Sequence, residues 1–172
     1  MSASIDELLR QHSGIRLDVA CGAAKHTGYV GMDIRALPGV DIVHDIEQIP
    51  WPLPDECVLT AIASHIVEHI NPVKFGFIKW MDELWRVLKP DGEVAIACPH
   101  GYSPGYLQDP THCNALNETT WAYFDPLEPN TGGYLYRIYR PKPWKITHLS
   151  WSPAANIEVI LAKRRDDRSY HE

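Results

Sequence analysis

The sequence predicts a single α/β domain built on a mostly parallel sheet. Short apolar runs alternate with loops or helices over the first two thirds of the chain, which is typical of parallel strands joined by crossovers. The 172 residues suffice for one domain with its own core. The 45% hydrophobic share is that of an ordinary globular protein.

The first elements are a short helix and four apolar runs. Residues 3–12 predict a helix with Ser4 as its N-cap. The runs that predict strands are Arg16–Ala20, Tyr29–Ile34, Val40–His44 and Cys57–Ser64. A proline-rich stretch, Pro50–Pro54, predicts a loop before the last of these strands.

A long helix and the remaining strands follow. Asn71 as cap and Pro72 as first helical residue predict a helix start, and apolar residues then fall on one face as far as Leu88. Glu93–Cys98 predicts the next buried strand. Three late runs also predict strands, of which the last two suit an antiparallel pair: Tyr134–Tyr139, Lys145–Trp151 and Ile157–Lys163.

Composition narrows the classes of function. A formal net charge of -6 argues against gripping nucleic acid by bulk electrostatics, although Arg137, Arg140, Lys142 and Lys145 suit a local basic patch, so nucleic acid is not indicated as a partner. No apolar run reaches the ~20 residues of a membrane span, and the start lacks a signal pattern, so we expect a cytoplasmic location. The four cysteines form no C-x-x-C pair, and no metal site is predicted.

Polar or small residues close several successive strands. In parallel sheets ligands bind at the carboxyl ends of the strands. Gly22 lets the backbone approach a ligand closely. Asp33 suits both hydroxyls of a ribose, and Asp45 with Ile46 suits an adenine amino group and ring. Several such strand ends together indicate a nucleotide-like ligand.

These strand ends carry a resemblance to a known family. Leu17–Gly22, Tyr29–Ile34 and Asp45–Ile46 resemble, in order, the motifs of class I S-adenosylmethionine-dependent methyltransferases. Ala63–Ile70 matches the segment after the fourth strand, and Leu84–Gly92 is similar to the R-V-L-K-P-G-G turn. The match covers roughly residues 16–100.

The resemblance implies a Rossmann-like fold and S-adenosylmethionine as methyl donor, with S-adenosylhomocysteine as product. It divides the single domain 1–172 into a cofactor part (about 16–100), a substrate or lid segment (about 100–133) and C-terminal strands (about 134–163). The residues it assigns to the cofactor are Asp18, Ala20, Cys21, Gly22, Asp33, Ile34, Asp45, Ile46, Ser64 and His65.

The first loop departs from the family pattern. Of the usual glycines only Gly22 remains, with Ala20 and Ala24 at the outer positions. Only Cys21–Gly28 separates the first two predicted strands, whereas a parallel crossover normally takes a dozen or more residues. The first crossover helix is therefore expected to be shortened or absent.

Methyl transfer needs alignment with the sulfonium, and a base helps when the acceptor is a neutral nitrogen or oxygen. The base candidates are His65, His69, His100, Asp109 and His112. The expected catalytic residues are His112 and Asp109, which lie in the irregular segment, together with His65. No motif identifies the methyl acceptor or the oligomeric state. The aromatic residues between 102 and 124 suit either a substrate pocket or the lid's own core.

Two alternatives stay open. The eroded glycine loop suits a non-catalytic domain of the same fold that binds the cofactor or a protein partner. His65, Glu68 and His69 match H-x-x-E-H, the zinc signature of one class of peptidases, whose chemistry needs a helix through the motif. A nicotinamide enzyme is disfavoured, because its acid should lie ~20 residues beyond the glycines and Asp33 follows Gly22 too closely.

Overall fold

A computed structural model describes Glu7, Leu9 and residues 13–152 and 155–171. The helix predicted over residues 3–12 and its Ser4 cap lie outside the described residues, except that Glu7 and Leu9 are helical.

The described residues form one seven-stranded sheet in the order β3-β2-β1-β4-β5-β7-β6. Its strands are β1 (Ile15–Val19), β2 (Val30–Asp33), β3 (Ile42–Val43), β4 (Val58–Ser64), β5 (Leu88–Pro99), β6 (Trp144–Trp151) and β7 (Asn156–Lys163). The first five pair in parallel, and β7 pairs antiparallel with both β5 and β6. The predicted mostly parallel sheet with an antiparallel C-terminal pair is confirmed.

Helices are few. The main helix is α1 (Gly76–Val87), and three short ones follow it. They are α2 (Pro104–Leu107), α3 (Glu118–Ala122) and α4 (Tyr136–Tyr139). Single 3₁₀ turns occupy Val67–His69, Val73–Phe75 and Arg168–His171. None of the helices in the described part of the chain has the length and apolar character that a membrane crossing requires.

The strand predicted over Tyr134–Tyr139 is wrong, because this segment is the one-turn helix α4. Tyr136 is fully buried and its hydroxyl donates to the carbonyl of Pro141. Arg140, in the left-handed region at φ 50°, ends the helix and redirects the chain toward β6. The C-terminal strands therefore begin at Trp144.

The start of α1 also differs from the prediction. Asn71 Oδ1 accepts the N–H of Val73 at 3.0 Å in an Asx turn, but the N-cap of the 3₁₀ turn that follows is Pro72, so Asn71 does not cap a helix. Lys74 and Phe75 then adopt left-handed backbone angles, and the α-helix begins only at Gly76. A Cβ at Gly76 would lie 1.9 Å from the carbonyl oxygen of Asn71, so this tight junction requires glycine.

The core lies between α1 and one face of the sheet. Trp80, Met81, Leu84 and Val87 of α1 are fully buried there. Between β1 and β2 the structure shows only turns, which confirms that the first crossover helix is absent. The other face of the central strands carries partly exposed positions such as Thr60 and Ile62.

The two edges of the sheet are unlike its centre. At one edge, β3 contains only two residues, and Val43 is exposed. At the other edge, the pairing of β6 with β7 shifts register between Ile146 and His148, and Lys145 is exposed.

Candidate functional site

A cavity of about 360 Å³ opens where the carboxyl ends of β1 to β4 meet. It is lined by Ala20, Asp33, Ile34, Arg35, Asp45, Ile46, Glu47, His65, Ile66, His69 and Ile70. The members predicted from the sequence are Ala20, Asp33, Ile34, Asp45, Ile46 and His65 as cofactor residues and His69 as a base candidate. The parallel topology therefore brings strand ends from across the predicted motifs to one cavity.

The loop after β1 folds back tightly instead of forming a helix. Ala20 and Gly22 both adopt left-handed angles, at φ 56° and 57°. The N–H of Gly22 donates to Asp33 Oδ2 at 2.8 Å, and the N–H of Cys21 donates to the Met32 carbonyl at 3.1 Å. The loop is thus held against the end of β2.

Asp33 is the anchor of this region. It is only 4% exposed, and its Oδ1 accepts the backbone N–H of Arg35 at 2.9 Å. Burial works against its charge, but the hydrogen bonds from Arg35 and Gly22 prevail and lower the pKa of Asp33. Oδ1 also accepts Arg35 Nε at 3.3 Å, so an ionised Asp33 keeps an unused lone pair on Oδ2 for a hydroxyl group in the cavity.

Four predicted cofactor residues lie outside the cavity lining: Asp18, Cys21, Gly22 and Ser64. Asp18 is buried, and its Oδ2 accepts the backbone N–H of His26 at 2.8 Å and lies 2.9 Å from His26 Nδ1. The side chain of Asp18 therefore braces the loop. Gly22 acts on the site through its hydrogen bond to Asp33.

The lining also includes four residues that the sequence does not predict. These are Arg35, Glu47, Ile66 and Ile70. Arg35, Glu47 and Ile66 each directly follow a predicted residue, so extending each strand end by one residue would have found them. Arg35 Nε lies 3.3 Å from Asp33 Oδ1.

The three predicted catalytic residues gather around Glu68. His65 Nδ1 and His112 Nε2 lie 3.4 and 4.0 Å from Glu68 Oε1. Asp109 Oδ2 lies 3.9 Å from His112 Nε2, and hydrogen bonds from Thr111 lower the pKa of Asp109. Of the three, only His65 lines the cavity. Their catalytic roles stay predictions.

His69 connects this cluster to the cavity. It lines the cavity, and its ring packs edge-on against that of His112 with centroids 4.7 Å apart. The segment Val67–His69 is a single 3₁₀ turn, so the helix that the zinc-peptidase alternative requires is absent from H-x-x-E-H.

His100, another base candidate, has contacts that indicate a structural role. Its Nδ1 accepts the N–H of Tyr102, and its ring packs on Trp151. Among the aromatic residues of the irregular segment, Trp121 and Phe124 are buried against Phe77 of α1. These two residues belong to the core, whereas Tyr102 is exposed.

No protein-family model and no curated protein sequence matches the chain. Solved structures do match. A Burkholderia thailandensis 1,6-didemethyltoxoflavin N1-methyltransferase with bound S-adenosylhomocysteine superposes at TM-score 0.61 and 14% identity, over 92% of this chain and 76% of that one.

Two further matches show the range of proteins with this fold. An S-adenosylmethionine-dependent methyltransferase from Methanosarcina mazei gives TM-score 0.57 and 14% identity over 96% of this chain and all of its own, 100%. The [4+2]-cyclase SpnF gives TM-score 0.55 and 13% identity over 87% of this chain and 74% of that one. The protein therefore has the class I fold of S-adenosylmethionine-dependent methyltransferases.

Proposed function

We propose that the protein is a methyltransferase that uses S-adenosylmethionine and delivers the methyl group to a nitrogen or oxygen acceptor. The observation that carries the proposal is that Ala20, Asp33 and Asp45, from three neighbouring strand ends, line one cavity. An adenosyl group is long enough to lie across three adjacent strands, which are about 4.8 Å apart.

The lining residues divide by chemistry in the way this ligand requires. The ionised carboxylate of Asp33 accepts the two ribose hydroxyls, one on Oδ2 and one on Oδ1 in place of the long 3.3 Å bond from Arg35 Nε. Ile34 and Ile46 present apolar surface for the adenine ring, and Asp45 lies beside them to accept its amino group. Ala20, which has a small side chain, leaves space for the methionine part next to His65.

The reaction is an in-line displacement. The acceptor nitrogen or oxygen forms a bond to the methyl carbon, the methyl–sulfur bond breaks, and the sulfonium becomes the neutral thioether of S-adenosylhomocysteine. The proton of a neutral acceptor leaves to a base. His65 lines the cavity, and His112 lies 4.0 Å from Glu68 and 3.9 Å from Asp109, so these three predicted residues remain the proposed proton acceptors.

Two observations favour a second candidate function, which is cofactor binding without methyl transfer. The glycine loop is reduced to Gly22, and the similar fold of a [4+2]-cyclase shows that this architecture also serves other chemistry. On either reading we place the protein in the cytoplasm, since all four cysteines are free.

The two candidates separate in two measurements. Calorimetry with S-adenosylmethionine and S-adenosylhomocysteine tests the cavity, and absence of binding at millimolar ligand would overturn both. Incubation of the protein with methyl-labelled cofactor and a panel of nitrogen and oxygen acceptors then tests transfer. Binding with no labelled product from any acceptor class would favour the non-catalytic candidate.

A further inference from the structure

Glu68 is a buried carboxylate without a hydrogen bond. Its side chain is fully inaccessible, and neither Oε1 nor Oε2 has a hydrogen-bond partner within the described part of the chain. The nearest basic atoms are His65 Nδ1 at 3.4 Å and His112 Nε2 at 4.0 Å. Burying a carboxylate is costly unless a partner compensates its charge, so this geometry calls for a cation.

The Nε2 atom of His112 lies near Glu68 and is available as a metal ligand. Its side chain is 8% exposed, and its Nδ1 lies 2.8 Å from the carbonyl oxygen of Tyr106. A carbonyl only accepts hydrogen bonds, so Nδ1 carries the proton. In the neutral ring, Nε2 therefore presents its lone pair toward Glu68.

His69 also uses its Nδ1 for a hydrogen bond, with a different partner. Its Nδ1 lies 3.0 Å from Thr111 Oγ1, and that hydroxyl donates to Asp109 Oδ1 at 2.6 Å. Because the Thr111 proton goes to Asp109, the hydroxyl accepts the Nδ1 proton of His69. The Nε2 of His69 is then also free to act as a ligand.

Donor atoms of Glu68, His69 and His112 all lie within 4.8 Å of one another. An ion about 2.1 Å from each donor needs them roughly 3–3.5 Å apart, so ion binding requires side-chain rotations that draw the donors closer. Histidine ligands characteristically hold their second nitrogen against a carbonyl or a carboxylate-linked group, as both rings do here.

We propose that Glu68, His69 and His112 bind one divalent transition-metal ion beside the cofactor cavity. Two imidazoles and one carboxylate suit ions such as Zn²⁺, Mn²⁺ or Fe²⁺ better than Mg²⁺ or Ca²⁺, which prefer oxygen ligands. Three protein ligands on one side leave coordination positions open. The sequence alone does not show the site, because His112 comes from the irregular segment.

The position of the site suggests the class of acceptor, a step that rests on the proposed function. His69 belongs both to the site and to the cavity wall, so the open positions lie near the transferred methyl group. A bound metal ion lowers the pKa of a coordinated hydroxyl. We therefore expect an oxygen acceptor, whose O–H proton leaves to solvent while the oxygen takes the methyl group from sulfur. On this inference His112 is a ligand and not the base.

Metal uptake is measured directly. The full chain is stripped with a chelator, titrated with Zn²⁺ or Mn²⁺, and its bound metal is counted by mass spectrometry. Wild type should take up one ion per chain, and Glu68→Gln, His69→Asn and His112→Asn should each weaken binding at least tenfold. The matched control is His148→Asn, an exposed histidine on β6 that bonds Ser150, which should bind like wild type.

Two further measurements test whether the variants fold and whether a protonated His112, instead of a metal ion, compensates the charge of Glu68. The variants' circular dichroism should match wild type, and Zn²⁺ should raise the Tm of wild type but not of His112→Asn. If Glu68→Gln fails to fold, the two histidine variants still decide. Wild type that binds no more ion than the variants would overturn the site, as would NMR evidence that His112 pairs with Glu68 in a protonated form at neutral pH without ion uptake.

Calorimetry with S-adenosylhomocysteine on metal-free protein keeps this inference separate from the proposed function. Ion uptake without cofactor binding would leave the metal site standing while the methyltransferase proposal fails. Cofactor binding without ion uptake would overturn the metal site and leave the methyltransferase proposal standing.

Discussion

The backbone N–H of Gly22 donates to Oδ2 of Asp33 across 2.8 Å, joining the loop after β1 to the end of β2. In this chain a turn replaces the crossover helix, so this bond fixes the relative positions of the loop and the carboxylate on the cavity wall. Asp33 therefore has two tasks, shaping the loop and facing the ligand. The first two predictions separate them.

Replacing Asp33 should weaken binding of the cofactor. Asp33→Ala removes a charged acceptor from the ribose hydroxyls, so we expect affinity for S-adenosylhomocysteine to fall by about 1.5–3 kcal/mol, the scale of hydrogen bonds to a charged group. Calorimetry measures this loss. Asp167→Asn, which removes an exposed carboxylate near the C-terminus, is the control, and equal affinity in Asp33→Ala and wild type would contradict the assignment.

Asp33 should also make stability depend on pH. Its pKa is lowered in the folded protein, so its contribution is complete above the unfolded value of about 3.9 and is lost as the pH falls through the folded value. Urea unfolding of wild type and Asp33→Asn should therefore differ by a constant free energy above about pH 5, and by less below about pH 4. If the difference in unfolding free energy instead grew as the pH fell, the pKa of Asp33 would be raised and not lowered in the folded protein.

Two adjacent glycines should respond differently to alanine. Gly132 and Gly133 both have left-handed φ values, but a Cβ at Gly132 meets nothing within 4 Å, whereas one at Gly133 would lie 2.1 Å from the carbonyl oxygen of Pro126. Gly132→Ala should cost about 1–2 kcal/mol of unfolding free energy from backbone strain alone. Gly133→Ala should cost about 1–3 kcal/mol more from the clash. Equal losses in chemical denaturation would refute this packing.

Cysteine reactivity reports on the first loop. Burial, with the charges of Asp18 and Asp33, raises the pKa of the Cys21 thiol to about 11. At pH 8 its thiolate fraction should be roughly 100-fold below that of a thiol with pKa 9.0. Iodoacetamide labelling with peptide mapping should find Cys21 slower than the exposed Cys113. Preferential labelling of Cys21 would contradict the burial of its thiol beside Asp18 and Asp33.

The strand-end part of the site could be predicted from the sequence. Apolar runs that end in Asp33 or Asp45 locate a strand and its terminus together, and parallel pairing then brings those termini to one edge. The absent crossover helix followed from the short spacing after Cys21. Local patterns and one topological rule were sufficient for these features.

The cluster around Glu68 could not be predicted in the same way. The segment that carries His112 has no periodicity, and tertiary bonds hold it in place. Cys113 N donates to the Glu68 carbonyl at 2.8 Å, and Asn114 Nδ2 donates to the Val67 carbonyl at 2.9 Å. The strand predicted over Tyr134–Tyr139 was also wrong because of tertiary contacts. Its apolar spacing fits a strand, but the buried Tyr136 lies in a helical turn.

The margins of the sheet bear on self-association. An unpaired strand edge is a template on which another chain can add a strand, a route to aggregation. With two residues, β3 offers almost no such template, and at the far margin the register shift in β6 and the charge of Lys145 obstruct regular pairing. These two features of the edge strands therefore oppose extension of the sheet by a neighbouring molecule.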